Sequence, residues 1–346
     1  MKKSYILISF TSSQNQTLKN LNTYLESISV DKSDIYIFTN TRDDILKDTS
    51  INIIRLDKIL SFNDALKQFF KRRNKKILSE KMGSFISYDE IEIIFPHFLN
   101  ILSNYFYHYC IPKMNHAKVI ISIYPDGILS FQPYRINTLF QKEVLSRWTF
   151  SYFFGMPFKP FRGPISDPYS MVKKIYSYLP KSTIKYNSDQ LIKISFPERS
   201  LKGDSLLILG HFNQSKFNEA NLSNYVQNIT TRFPKNSHDK VYYKRHPRLS
   251  KNKNDLFLNM LKLKAPYNLN LIHDKKPIEM AIEEVRAQTI IAAASSSLVN
   301  LKLKYNKSID CYYFGLHHYV DSEYIKYYLN VFSELSINHL MLADER

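Results

Sequence analysis

Glycine is scarce in this chain, with seven in 346 residues. Neither G-x-G-x-x-G nor G-x-x-x-x-G-K-[ST] occurs, which argues against a glycine-fingerprint dinucleotide site and against a P-loop phosphate cradle. Cysteine is scarcer still. Cys110 and Cys311 each stand inside an apolar or aromatic run and read as reduced, buried thiols of a cytoplasmic protein. C-x-x-C, H-E-x-x-H and G-x-S-x-G are all missing, so a metalloenzyme or a serine hydrolase is not expected. Long apolar runs are missing too: none reaches the roughly 18 residues that a spanning helix needs, so any membrane contact is expected to be peripheral. The opening run Tyr5-Ile6-Leu7-Ile8-Ser9-Phe10 is too short for a signal segment and meets polar residues at once, which makes it a first strand.

Acidic residues are few relative to basic ones, 31 Asp and Glu against 48 Lys and Arg, for a net charge of +17. An excess of this size points to a polyanionic partner, to a lysine-rich surface, or to both. Two clusters stand out, Lys71-Arg72-Arg73-Asn74-Lys75-Lys76 and Tyr242-Tyr243-Lys244-Arg245-His246-Pro247-Arg248. Either could meet nucleic acid, an anionic membrane or an acidic glycan. Acidic residues spread among the basic ones argue against a nucleic-acid stripe, so no nucleic-acid partner is expected.

The chain also has what a core needs, with 44% hydrophobic residues and 14% aromatics. Its length suits about two domains. Residues 4–10 form an apolar run, 17–28 carry Leu18, Leu21, Leu25 and Ile28 at helical spacing, and 34–39 are again strand-like. Further strands are expected at 51–56 and 118–124, with a long aromatic helix over 86–111 between them. Residues 132–164 show no period and read as an irregular lid or acceptor-side segment. Residues 167–179 read as helix, and the polar stretch 181–204 as a linker. A second series follows: strands at 205–209, 240–244, 269–273, 289–293 and 310–314, with helices at 218–233, 277–286 and 297–305. The expected fold is therefore α/β, two Rossmann-like doubly wound domains over residues 1–185 and 200–320. The aromatic helix at 324–335, within the closing segment 324–346, is expected to pack back on the first.

Doubly wound sheets bind ligands beyond the carboxyl ends of their strands. Four clusters sit there. Asp126-Gly127 follows the strand 118–124; the glycine frees the turn to hold the carboxylate outward as a base, and Pro-Asp-Gly is equally an ordinary turn. Lys244, His246 and Pro247 follow the strand 240–244, where a histidine among cations suits a phosphate and a solvated basic loop is the alternative. Ser295, Ser296 and Ser297 open a helix, either as an anion site or as an N-cap. Glu279 stands near a helix start, where it complements the dipole or takes up ribose hydroxyls.

In this order the clusters resemble the motifs of the bacterial sialyltransferases, especially the capsule polysialyltransferases and their lipooligosaccharide-sialylating relatives. The segments are Asp126-Gly127, Lys244-x-His246-Pro247, Ile278-Glu279 and Ser295-Ser296-Ser297-Leu298-Val299. The stretch after the first strand, including Gln16, resembles the family's first loop on the acceptor side.

The resemblance implies an inverting enzyme of GT-B architecture, two domains facing a cleft, with no obligatory metal or cofactor and CMP-sialic acid as donor. Asp126 would deprotonate the acceptor hydroxyl, with Gly127 beside it, and His246 would protonate the departing phosphate. Ser296 and Ser297 would hold that phosphate and Glu279 the ribose, with Lys244, Pro247 and Ser295 also on the donor-binding side. The family has an acidic residue where this chain has Pro125. The acceptor would be an acidic or galactosyl glycan of capsule or lipooligosaccharide. The expected place is the cytoplasm, with peripheral contact to the anionic inner face of the membrane. A different CMP-sugar such as Kdo is the enzymatic alternative, and a non-enzymatic polyanion binder the other.

Overall fold

The computed structural model of the protein describes residues 2–9, 18, 21–22, 24–40, 51–57, 73–96, 101–114, 117–124, 138–153, 157–159, 172–179, 191–194, 199–211, 219–246, 255–272, 278–293, 295–320 and 322–340. The chain forms two compact units, Met1–Ser195 and Phe196–Arg346. Their boundary falls inside the polar stretch 181–204.

The first unit holds seven strands: β1 (Lys3–Ser9), β2 (Ile35–Thr39), β3 (Asn52–Arg55), β4 (Glu90–Phe95), β5 (Lys118–Ile123), β6 (Val172–Ser177) and β7 (Leu191–Lys193). They lie parallel in the order β3-β2-β1-β4-β5-β6-β7. β-Branched, apolar runs are what a parallel sheet covered on both faces demands. Leu18, Leu21 and Leu25 bury themselves on one face against Tyr5, Leu7 and Ile94. Phe38, Phe85 and Phe106 pack together on the other, with Phe38 and Phe106 ring centres 5.2 Å apart. Each such buried side chain contributes about 1.5–3 kcal/mol of transfer free energy.

Three expectations for this unit are corrected. Residues 86–111 are not one helix: Glu90–Phe95 is a strand beside β1, and Ile101–Tyr105 is helical. Residues 167–179 are not helical where described, since Val172–Ser177 is β6. Thr138–Phe153, expected to be irregular, is a helix of 16 residues. The linker stretch also contributes the short strand β7.

The two misread strands are joined by charge. Glu92 on β4 is fully buried and accepts hydrogen bonds from Ser122 Oγ at 2.7 Å, Tyr176 hydroxyl at 2.6 Å and Lys174 Nζ at 2.8 Å. Lys3 lies 3.1 Å from the same carboxylate and 2.8 Å from Glu90, which also pairs with Lys118 at 3.0 Å. Burial by itself raises the Glu92 pKa, but the bonds from Lys174, Tyr176 and Ser122 and the Lys174 charge outweigh it and hold the carboxyl below its ordinary value.

The second unit holds β8 (Ser205–Leu209), β9 (Lys240–Lys244), β10 (Leu269–Ile272), β11 (Ala287–Ala293), β12 (Asp310–Phe314) and β13 (Asn338–His339). They are parallel in the order β10-β9-β8-β11-β12-β13. The expected elements of this half are all present within a few residues. The helix Leu256–Lys264 was not expected. Helix Ser322–Glu334 packs on this sheet, with Phe332 and Tyr313 ring centres 4.6 Å apart. Cys110 and Cys311 are buried and free, and burial pushes both thiols up to about 12. Among the described residues no helix is long and apolar enough to cross a membrane.

Candidate functional site

In the second sheet β8 leads on to β9 at one side, while its other neighbour, β11, leads away to β12. The strand order reverses at β8 and β11, and the crevice beyond their carboxyl ends is where such a sheet receives ligands. Leu209 is level with Lys244 on one side and with Ala292 on the other. Three chain exits therefore stand side by side: Gly210-His211 from β8, Lys244-Arg245-His246 from β9, and the serine run from β11. At ordinary strand spacing the outer two are about 10 Å apart, a span that one nucleotide phosphate and its sugar can bridge.

The exits of β8 and β9 are tied tightly. The Gly210 N–H donates to the Lys244 carbonyl at 2.9 Å. A Cβ at Gly210 would overlap the Tyr243 hydroxyl and approach its Cζ to 2.9 Å, so only glycine lets the two loops come this close. Tyr243, 1% exposed, passes beneath and donates its hydroxyl to Asp255, 3.0 Å from each carboxylate oxygen. Asp255 also accepts from Arg245 Nε at 3.2 Å and from the Leu258 N–H at 3.1 Å, capping the helix Leu256–Lys264. One buried carboxylate thus fixes a strand end, a helix start and the basic loop.

His246 is half-buried at the mouth of this arrangement, and His211 faces it with ring centres 6.1 Å apart and planes at 47°. Lys244 is 4% exposed. Across the crevice Ser295 has extended backbone and is the N-cap of helix Ser296–Tyr305, its Oγ accepting from the Ser297 N–H at 3.2 Å. Ser296 is exposed and Ser297 half-buried on the first turn, where the helix dipole favours an anion. Glu279 is in the first turn of helix Ile278–Val285. Pro247 lies outside the described residues, as do Gln16, Asp126 and Gly127.

In the first unit Tyr124 is the last described residue before Asp126. It is fully buried, donates its hydroxyl to the Ile8 carbonyl at 2.6 Å and its N–H to the Phe95 carbonyl at 2.9 Å. The carboxyl ends of β1, β4 and β5 are thereby pinned at Tyr124, two positions before Asp126 in the chain. Among the described residues no group of three or more His, Cys, Asp or Glu is placed to hold a metal ion.

The family model for the alpha-2,8-polysialyltransferases matches residues 2–312. The chain belongs to that family. As one of its members it is a sialyltransferase, working on a sugar-nucleotide donor and a glycan acceptor. No curated protein matches the chain. Among solved structures this family member is similar to an alpha/beta-galactoside alpha-2,3-sialyltransferase from Photobacterium phosphoreum, with 10% identity, a TM-score of 0.54 and 98% and 99% of the two chains covered. It is also similar to a UDP-GlcNAc 2-epimerase from Methanocaldococcus jannaschii, at 14% identity, a TM-score of 0.52 and 98% and 88% coverage. The GT-B domain of a Photobacterium damselae sialyltransferase matches at 13% identity, a TM-score of 0.49 and 97% coverage of both chains. The first two are likenesses of fold, and the fold class is the α/β one of the GT-B glycosyltransferases, two units built on parallel sheets.

Sequence reasoning named the residues after β9 and β11, and Glu279, but not Gly210, His211, Tyr243 or Asp255 as site residues. Gly210-His211 carries the same signal as the others, a polar pair after an apolar strand. Asp255 carries the N-cap signal, an aspartate directly before an apolar helical stretch.

Proposed function

We propose that this polysialyltransferase-family enzyme moves sialic acid from CMP-sialic acid to a cell-surface glycan with inversion, without a metal. The observation that carries the reading is the convergence of His246, Lys244 and the Ser295-capped helix at the strand-order reversal of the second sheet, in a chain of this family. Asp126 takes the proton of the acceptor hydroxyl, and the resulting oxygen attacks the anomeric carbon. The bond from that carbon to the phosphate oxygen breaks, CMP leaves with the electron pair, and His246 supplies a proton to it. Ser296 and Ser297 hold the phosphate and Glu279 the ribose, with Lys244, Pro247 and Ser295 lining the donor side. Gln16 and Gly127 lie on the acceptor side. The roles of Asp126 and Gln16 rest on the family resemblance and on the position of Asp126 two residues beyond the pinned Tyr124.

The acceptor in this reading is an acidic or galactosyl glycan of capsule or lipooligosaccharide, made in the cytoplasm with peripheral contact to anionic lipid. The basic helix Arg73–Met82 supplies surface charge for that contact, although Arg73 is 3.5 Å from Asp57 and Lys76 is 3.8 Å from Glu80. Incubation with CMP-sialic acid and with CMP-Kdo, in EDTA, over a panel of galactosyl and sialyl acceptors tests the reading. Transfer from CMP-sialic acid with inverted anomeric configuration by NMR is expected. Transfer from CMP-Kdo alone, or none without added metal, overturns it.

A further inference from the structure

The second unit has described histidines besides His246. His238 bridges Ser237 and Thr289, at 2.9 Å and 3.0 Å, by the amino ends of β9 and β11, far from the crevice. His318 packs on Tyr225, with ring centres 6.4 Å apart, and lies 3.4 Å from Asn221 Nδ2. His211 is different: it leaves β8 beside the reversal point, half-buried, with its ring turned to that of His246. The close approach that only glycine permits at position 210, clamped by the bond to Lys244, is what sets the two rings together.

We propose that His211 is a second phosphate-binding imidazole, holding a non-bridging oxygen of the donor phosphate while His246 serves the oxygen that leaves. This rests on the CMP-donor reading above. An imidazole N–H reaches a phosphate oxygen roughly 4 Å from its ring centre, given a hydrogen bond of about 2.8 Å. Two such reaches end to end cover about 8 Å, so rings with centres 6.1 Å apart are close enough for each to bond a different oxygen of one phosphate. The separation of the rings thus suits one phosphate shared by the two imidazoles. Half-burial makes each charge-assisted bond stronger than at an open surface. With two imidazoles on one phosphate, the proton given to the leaving oxygen is lost without leaving that phosphate bare of donors.

The test compares binding of CMP and of cytidine, which lacks the phosphate, to the wild type, His211→Ala and His211→Asn by titration calorimetry. His211→Ala is expected to lose about tenfold in CMP affinity, the scale of one hydrogen bond to a charged group. Cytidine affinity should stay unchanged, and His211→Asn, which keeps an N–H donor, should recover part of the loss. CMP affinity of His211→Ala within twofold of the wild type overturns the inference and leaves the donor reading standing. Equal losses for CMP and cytidine, with a lowered melting temperature, make His211 a structural residue and also overturn it. A wild type that binds no CMP overturns the donor reading and this inference together.

Discussion

The Tyr243 hydroxyl stands 3.0 Å from both carboxylate oxygens of Asp255, a residue 12 positions further along the chain. The pair is buried, and Asp255 extends it to Arg245 and to the helix that it caps. Removing the carboxylate strips three donors of their partner at once. Asp255→Ala should lower unfolding free energy by about 2–4 kcal/mol, a lost cap plus unsatisfied buried donors. It should also weaken CMP binding, because the Arg245-His246 loop loses its anchor. Asp255→Asn keeps an acceptor oxygen and should lose less of both. Denaturant titration and calorimetry read the two effects.

Gly210 and Tyr243 form a second coupled pair. Gly210→Ala pushes a methyl into the tyrosine hydroxyl and should cost about 1–3 kcal/mol as overpacking. Tyr243→Phe alone loses the bond to Asp255, about 1–2 kcal/mol. Because the phenylalanine lacks the clashing oxygen, the double variant should be more stable than the sum of the single losses predicts. A double-mutant cycle in urea measures the coupling, and strict additivity would contradict the close approach.

Ser295 and Ser296 should separate. Ser295→Ala removes the N-cap acceptor and should cost about 1 kcal/mol of stability. Ser296, exposed on the first turn, should leave stability unchanged as alanine and weaken CMP binding. Thermal melts should separate the two variants, with only Ser295→Ala melting lower, while CMP titrations should show Ser296→Ala weakened at unchanged stability.

Acid should destabilise the first unit in two steps. Burial, then the nearby Lys159 charge, hold His108 down to about 4, below the ordinary 6.5 or so of an unfolded histidine. The unfolded state therefore takes up a proton first, and stability falls as pH drops from about 6.5 toward 4. The Glu92 carboxyl is also held below its ordinary value. Its contribution is complete above the unfolded carboxylate pKa of about 4.3 and is lost as pH falls through the lower folded value. Glu92→Gln leaves Lys174 and Lys3 facing a neutral amide and should cost about 2–3 kcal/mol at neutral pH, near the low end for a broken buried pair. The gap to the wild type should shrink below about pH 4.3. Unfolding free energies across pH 3–8, measured for wild type and variant, check both the cost and its sign.

Most of the second unit was legible because β8, β9, β10, β11 and β12 are short, largely apolar runs followed by polar residues; the two-residue strand β13 and the helix Leu256–Lys264 were not. The family's motifs fall at three of those strand or helix boundaries, so their place in the fold followed from local pattern. In the first unit local pattern misled. Glu90-Ile91-Glu92-Ile93 looks like an exposed helical face when its glutamates are assumed to need water. Val172-Lys173-Lys174-Ile175 looks the same for its lysines. Each is a buried strand because the other supplies the opposite charge, across 82 residues, between Lys174 and Glu92.

What the sequence determined by itself was the alternating α/β plan, the polar clusters at strand exits and the family motifs, since these are written in residues a few positions apart. The tertiary structure decided the rest. Strand order brought β8 between β9 and β11, so that Gly210-His211 met His246. Pairing across the sheet decided which charges could be buried, because desolvating a carboxylate is favourable only when distant cations arrive with it.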